Sequence, residues 1–241
     1  MHETIGDHPL WHIPLPAPFN TVHSDTVLIT WLAMAIVLVT LGLLARLHPV
    51  TQLSKRYTIL ELIVSALSNQ VETILGKNGV PFVPFIISLF LFIFVMNEIG
   101  VIPFVGKSPT ADLNTTAALA LFAIGLVWGV GVYRKGLGYF GHLVIRPLGL
   151  GIPMLPIMII DELARPVTLA MRLFGNIFAG EILLVVIAAV IAAHLGAISV
   201  LANGAPVLIY AFNIFIGFLQ ALVFTLLTIA YLITPTSDEQ H

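Results

Sequence analysis

Apolar runs of about twenty residues or more recur along this chain, each long enough for a helix to cross a hydrocarbon core about 30 Å thick. In lipid every backbone N–H and C=O must find a partner inside the protein, which leaves only helices or closed barrels. A barrel strand alternates in polarity over about ten residues. These runs are continuously apolar, so a helical bundle follows. Composition agrees, with 59% of the 241 residues apolar and 9% charged, against roughly 25% charged in an average soluble domain. The fold expected is an all-α integral membrane protein, with about five membrane-embedded helices and one amphipathic surface helix.

The first span is expected at about residues 26–44, ended by Arg46 and Pro49. Residues 54–77 mix Lys55, Arg56, Glu61, Gln70 and Glu72 with Ile59, Leu62, Ile63, Leu67 and Ile74, the pattern of an amphipathic helix lying at a membrane surface. A second span covers about 82–105, interrupted late by Asn97 and Glu98. A third covers about 115–133, with Asp112 and Asn114 as capping residues before it. From about 154 to 202 no turn signal ends the helix, and 49 residues would make it about 73 Å long, over twice the core thickness. Such a helix must tilt or bend, with Pro166, Gly175 and Gly180 as flexure points. The turn is expected at Asn203-Gly204-Ala205-Pro206, and a last run, 207–233, closes at Thr234-Pro235. The two overlong helices then form a strongly tilted hairpin. Three regions result: an extracytoplasmic segment 1–25, peripheral helices 26–150, and the hairpin 151–241. No internal repeat suggests an inverted-repeat transporter.

Arg46, Lys55, Arg56 and Lys77 fall in one loop, and Arg134, Lys135 and Arg146 in another on the same side, against Lys107 opposite. By the positive-inside rule those loops are cytoplasmic, the N-terminus is outside and the C-terminus cytoplasmic. The first 25 residues lack Lys and Arg, so no cleaved signal peptide is expected. Zero cysteines exclude disulfides and thiolate chemistry. A net charge of −2 gives no reason to expect a nucleic-acid partner. The glycines of Gly100-Val-Ile-Pro-Phe-Val-Gly106-Lys107-Ser108 are spaced one residue too far apart for a phosphate loop and follow no strand. His8 and His12 lie in a proline-rich tail without further ligands, so neither a metal nor a cofactor is expected. Asn114-Thr115-Thr116 fits a glycosylation sequon but is better explained by helix capping.

The hairpin carries the deep polar residues Asp161, Glu162, Arg165, Arg172, Asn176, Glu181, Asn213 and Gln220. At 100° per residue Asp161, Arg165, Arg172 and Asn176 share a stripe about 60° wide, whereas Glu181 lies about 180° from Arg172 and roughly 13 Å along the axis. Asn213 and Gln220, seven apart, share a face of the partner helix. An arginine at membrane depth costs about 2.5 to 3.5 kcal/mol unless it meets water or an anion. Arg165 has Asp161 and Glu162 beside it. Arg172 has no anion at matching depth and angle in this chain, which points to a carboxylate on another subunit. A self-contained transporter or channel binding an anion at Arg172, and a purely structural scaffold that tolerates leucine there, are the competing readings.

The run Arg165-Pro-Val-Thr-Leu-Ala-Met-Arg172-Leu-Phe-Gly-Asn176-Ile-Phe-Ala-Gly-Glu181 closely resembles the signature helix of subunit a of the F-type ATP synthase. Pro109-Thr-Ala-Asp112-Leu-Asn114 resembles the segment before that family's third span, and Leu219-Gln220-Ala-Leu-Val-Phe-Thr-Leu-Leu-Thr-Ile-Ala-Tyr231 its last helix. The resemblance covers about residues 26–233. It implies a non-catalytic stator subunit in a bacterial plasma membrane, whose partners are the c-subunit ring and the peripheral-stalk b subunits, and whose translocated ion is the proton. Arg172 would face the ring with Gln220 next to it, and Glu181 would line the half-channel open to the outside with Asn176 close by. The chain departs from many bacterial members at Asn213, where they place a histidine. An amide cannot titrate, so water and Glu181 would have to serve there.

Overall fold

The computed structural model describes residues 10–12, 21–46, 55–102, 108–136, 138–139, 151–193 and 199–236. Seven helices carry the fold among these residues: α1 Ser24–Arg46, α2 Lys55–Leu75, α3 Val83–Ile99, α4 Leu113–Lys135, α5 Gly151–Ala193, α6 Ser199–Tyr231 and the short α7 Ile233–Thr236. Two 3₁₀ turns, Gly76–Phe82 and Pro109–Ala111, lead into α3 and α4. The expected helical class and the order of its elements hold.

Three of these boundaries have a local cause. α2 gives way to the 3₁₀ turn at Gly76, whose φ of 62° suits glycine. Asp112 caps α4, its Oδ1 accepting from the Asn114 N–H at 2.9 Å. Arg134 and Lys135 end α4 where the helix dipole favours cations. α2 is amphipathic as expected, burying Leu67 and Val71 while Glu61, Gln70 and Glu72 stay exposed.

α3 is the central helix. It packs against α1, α2 and α6, and α5 packs between α6 and α4. Phe90, Ile93 and Leu89 of α3 share one core with Ala120 and Ala123 of α4, Leu169 and Leu173 of α5, and Ala221 and Phe224 of α6. Phe218 of α6 meets Phe90 and Phe94 of α3 edge-on, at 5.8 and 6.0 Å between ring centroids. Much large apolar surface stays outside: Trp31 is 60%, Leu38 62% and Val167 60% exposed. Large apolar side chains exposed in this way suit a lipid surrounding. Four described stretches, Ser24–Leu43, Glu61–Ile99, Leu113–Lys135 and Tyr210–Thr236, are long and apolar enough to cross a membrane.

The hairpin is overlong, but its turn is not at Asn203-Gly204-Ala205-Pro206. α5 ends at Ala193 and α6 begins at Ser199, so the four residues lie inside α6. Residues 194–198, outside the described ones, separate the two helices. In water an Asn-Gly-Ala-Pro run breaks a helix. Here the proline removes only one backbone hydrogen bond, and α6 runs on through it. At 1.5 Å per residue, the 43 residues of α5 span about 64 Å and the 33 of α6 about 50 Å, so both still exceed an upright crossing. α5 is continuous through Pro166, Gly175 and Gly180.

Two features lie beyond the sequence reading. Leu10–His12 and Thr21–His23 pair as an antiparallel ribbon, with Trp11 opposite Val22, so part of the N-terminal segment is folded. The aromatic and β-branched residues there favour strands. The expected stop at Thr234-Pro235 instead forms α7. Its carbonyls are held from two sides, Thr234 O by Lys135 Nζ at 2.9 Å and Thr236 O by Asn78 Nδ2 at 3.2 Å. His8 and Lys107 lie outside the described residues.

Candidate functional site

Arg172 projects from an exposed face of α5, beside the exposed Thr168, Met171 and Asn176, while Leu169, Ala170 and Leu173 of the same turns are buried in the core. Among the described residues it makes no ion pair or hydrogen bond. Arg165, seven residues earlier, is held within the bundle. Its Nη1 lies 2.8 Å from Glu162 Oε2 and its Nη2 3.4 Å from Asp161 Oδ2, and its guanidinium stands 5.3 Å over the Tyr231 ring. Glu162, buried, also accepts from Trp128 Nε1 at 2.6 Å, tying α5 to α4. Of the two arginines, one is neutralised and one presents its charge outward.

One turn past Arg172, Asn176 Nδ2 donates to Gln220 Oε1 of α6 at 2.8 Å. Gln220 is buried, and its Nε2 has no partner among the described residues. The expected reach of α6 across to α5 is thus made by Gln220. Asn213 also meets α5, its Oδ1 resting against Gly180, where an added Cβ would come within 2.7 Å.

Glu181 faces a different environment from Arg172. Its Oε1 accepts from the backbone N–H of Ser108 at 3.0 Å, at the end of the bundle where α3 finishes and α4 begins. There Asn97, Ser108, Asn176, Glu181 and Asn213 line a cavity of about 20 Å³, room for one water. The structure therefore brings Asn176, Glu181 and Asn213 together at one polar junction of α3, α5 and α6. Arg172 and Gln220 do not line it.

Several residues of this junction were not singled out from the sequence. Asn97 donates to Gly217 O at 2.9 Å and accepts from Thr110 Oγ1 at 2.8 Å, and Thr110 Oγ1 lies 2.7 Å from Ser108 Oγ, which donates to Met96 O. These contacts join α3, the Pro109–Ala111 turn and α6. The adjacent polar pair Asn97-Glu98 in an apolar run was the one available signal. At the same end His23 Nδ1 meets Asp112 Oδ2 at 2.6 Å, fastening the ribbon to the cap of α4.

Together these features define a multi-pass helical membrane protein, with a polar junction enclosed at one end and an outward-facing arginine on its longest helix. Residues 27–233 match the family model described as ATP synthase A chain. Among relatives, ATP synthase subunit a of Desulforamulus reducens is 37% identical over 242 residues, covering 96% of this chain and 89% of the relative. ATP synthase subunit a of Bacillus pumilus is 35% identical over 235 residues, covering 91% and 94%. The chain belongs to the ATP synthase subunit a family, membrane subunits of that complex.

Proposed function

We propose that this chain is the proton-conducting stator of a rotary ATP synthase, in a bacterial plasma membrane with its N-terminus outside and its C-terminus in the cytoplasm. It forms two offset half-channels against the c-subunit ring, is held by the peripheral-stalk b subunits and surrounded by lipid, and has no catalytic site or cofactor of its own. The observation that carries this reading is Arg172: a charge on an exposed face of a long, largely apolar helix, without an anion among the described residues. Its insertion cost of about 2.5 to 3.5 kcal/mol calls for a partner outside the chain, and a ring carboxylate supplies one.

A continuous wet pore would dissipate the gradient, so the two half-channels need a barrier between them. Arg172 serves as that barrier. Its fixed charge repels hydronium and, within about 4 to 6 Å, favours the ionised form of a ring carboxylate. A proton enters from outside through the junction of Glu181, Asn176 and Asn213, and binds a ring carboxylate that has left Arg172. It rides round in the lipid, and the carboxylate releases it to the cytoplasm on meeting Arg172 from the other side. The Asn176–Gln220 pair flanks Arg172 on its junction side and fixes the spacing of α5 and α6 there.

The purified chain reconstituted alone should give no substrate-specific flux and no stoichiometric nucleotide binding, and it should co-purify from membranes in mild detergent with ring and stalk subunits. Substrate transport by the chain alone would replace this reading with that of a self-contained transporter.

A further inference from the structure

Glu98 belongs to none of the roles above. It sits in the last turn of α3, and its Oε1 is buried with no hydrogen-bond partner among the described residues. That oxygen lies against α6: a Cβ added to Gly217 would stand 2.6 Å from Glu98 Oε1 and 3.2 Å from Asn97 Cβ. Glycine at 217 is what leaves room for the carboxyl. Asn97, beside it, clamps the same point of α6 by donating to Gly217 O.

Position along α6 gives the carboxyl its meaning. Gly217 is about 6 Å past Asn213 and about 4.5 Å before Gln220, and the three lie within about 60° on one helix face. Asn213 lines the water-sized cavity with Glu181, and Gln220 pairs with Asn176 next to Arg172. Glu98 is therefore placed at an axial level between the cavity and the Arg172 level. An ionisable group inside a spanning helix marks an ion pathway by default. A buried carboxyl oxygen without a donor is costly, and the donor can be water or an arriving proton.

We propose that Glu98 is a second proton-carrying carboxyl of the outer path, relaying protons from the cavity lined by Asn176, Glu181 and Asn213 to the level of Gln220. This rests on the half-channel reading above, and it supplies a titratable group where Asn213 has none. A hydronium in the path gives up a proton as an O–H bond forms on the Glu98 carboxylate, leaving water. That O–H bond breaks when the proton passes to the next water towards Gln220, and the carboxylate is restored.

The test uses the whole complex in membrane vesicles, with ATP synthesis driven by an imposed proton gradient and rates normalised to complex abundance. Glu98→Gln, nearly isosteric, should lower the rate about tenfold, a modest share of what a positioned proton-transfer group contributes because water remains in parallel. Glu98→Asp, which keeps the carboxyl, should retain about a third of the wild-type rate or more. Adding Asn213→His to Glu98→Gln should restore part of the loss by returning a titratable group to the same helix face, which no packing role of Glu98 predicts. Glu98→Gln at the wild-type rate, or a loss that histidine does not relieve, overturns the proposal. Arg172→Ala in the same vesicles separates the two levels. If it retains synthesis the half-channel reading itself fails, and if only Glu98→Gln is silent the relay alone does.

Discussion

Replacing Arg172 with alanine should reduce proton-driven ATP synthesis on the order of 100-fold or more, the scale of losing one preorganised charge at a reacting centre. The same variant should make vesicles leakier to protons, because one charge performs two tasks. It drives a ring carboxylate to release its proton, and it separates the two half-channels. Removing it loses coupling and lowers the barrier together. Arg172→Lys keeps a compact charge but loses the planar fork that meets a carboxylate with two donors, and a desolvated ammonium is a weaker guarantee of charge than a guanidinium. Lysine should therefore fail at synthesis while restraining the leak better than alanine. The measurement is proton permeability and ATP synthesis side by side at equal complex abundance. Arg172 projects from the core rather than into it, so neither substitution opens a cavity, and loss of assembly is not the expected cause.

The second large effect is expected at Glu181. Its carboxylate accepts from the Ser108 N–H and lines the water-sized cavity, so it can hold a proton within reach of ordered water. Glu181→Gln keeps the size and an acceptor for that N–H but cannot carry a proton. Synthesis should fall at least about tenfold with complex abundance unchanged. Asn213→His alone should be tolerated, since Asn213 meets α5 with its amide tip against Gly180 rather than by burial in the core. Unchanged synthesis in Glu181→Gln would remove Glu181 from the path.

What could be read from the sequence follows from which interactions are local. The cap at Asp112, the amphipathic face of α2 and the stripe shared by Arg172 and Asn176 all depend on residues within a few turns, so periodicity and capping rules reach them. The α5–α6 turn was misplaced because Asn203-Gly204-Ala205-Pro206 carries the local signature of a turn, yet α6 runs through all four residues. The polar junction was only half legible. Glu181, Asn176 and Asn213 came from one hairpin and its family resemblance, but Ser108, Thr110 and Asn97 reach it from segments 66 or more positions earlier than Asn176. No local rule predicts such a meeting. The approach of Glu98 to Gly217 depends on the same α3–α6 packing.

The central claim is that the Arg172 face of α5 meets the carboxylate-bearing helices of the ring. The sequence contains no cysteine, so a cysteine introduced here is unique in the chain. Thr168 and Ala179 lie one turn before and two turns after Arg172, and both are exposed. Cysteines at these positions, combined with single cysteines near the ring carboxylate, should give disulfide-linked products between this chain and a ring subunit upon mild oxidation of intact membranes. Cysteine at Leu38, exposed on α1, should give none. Cross-links from Leu38 in place of Thr168 and Ala179, in complexes of normal abundance, would contradict the account.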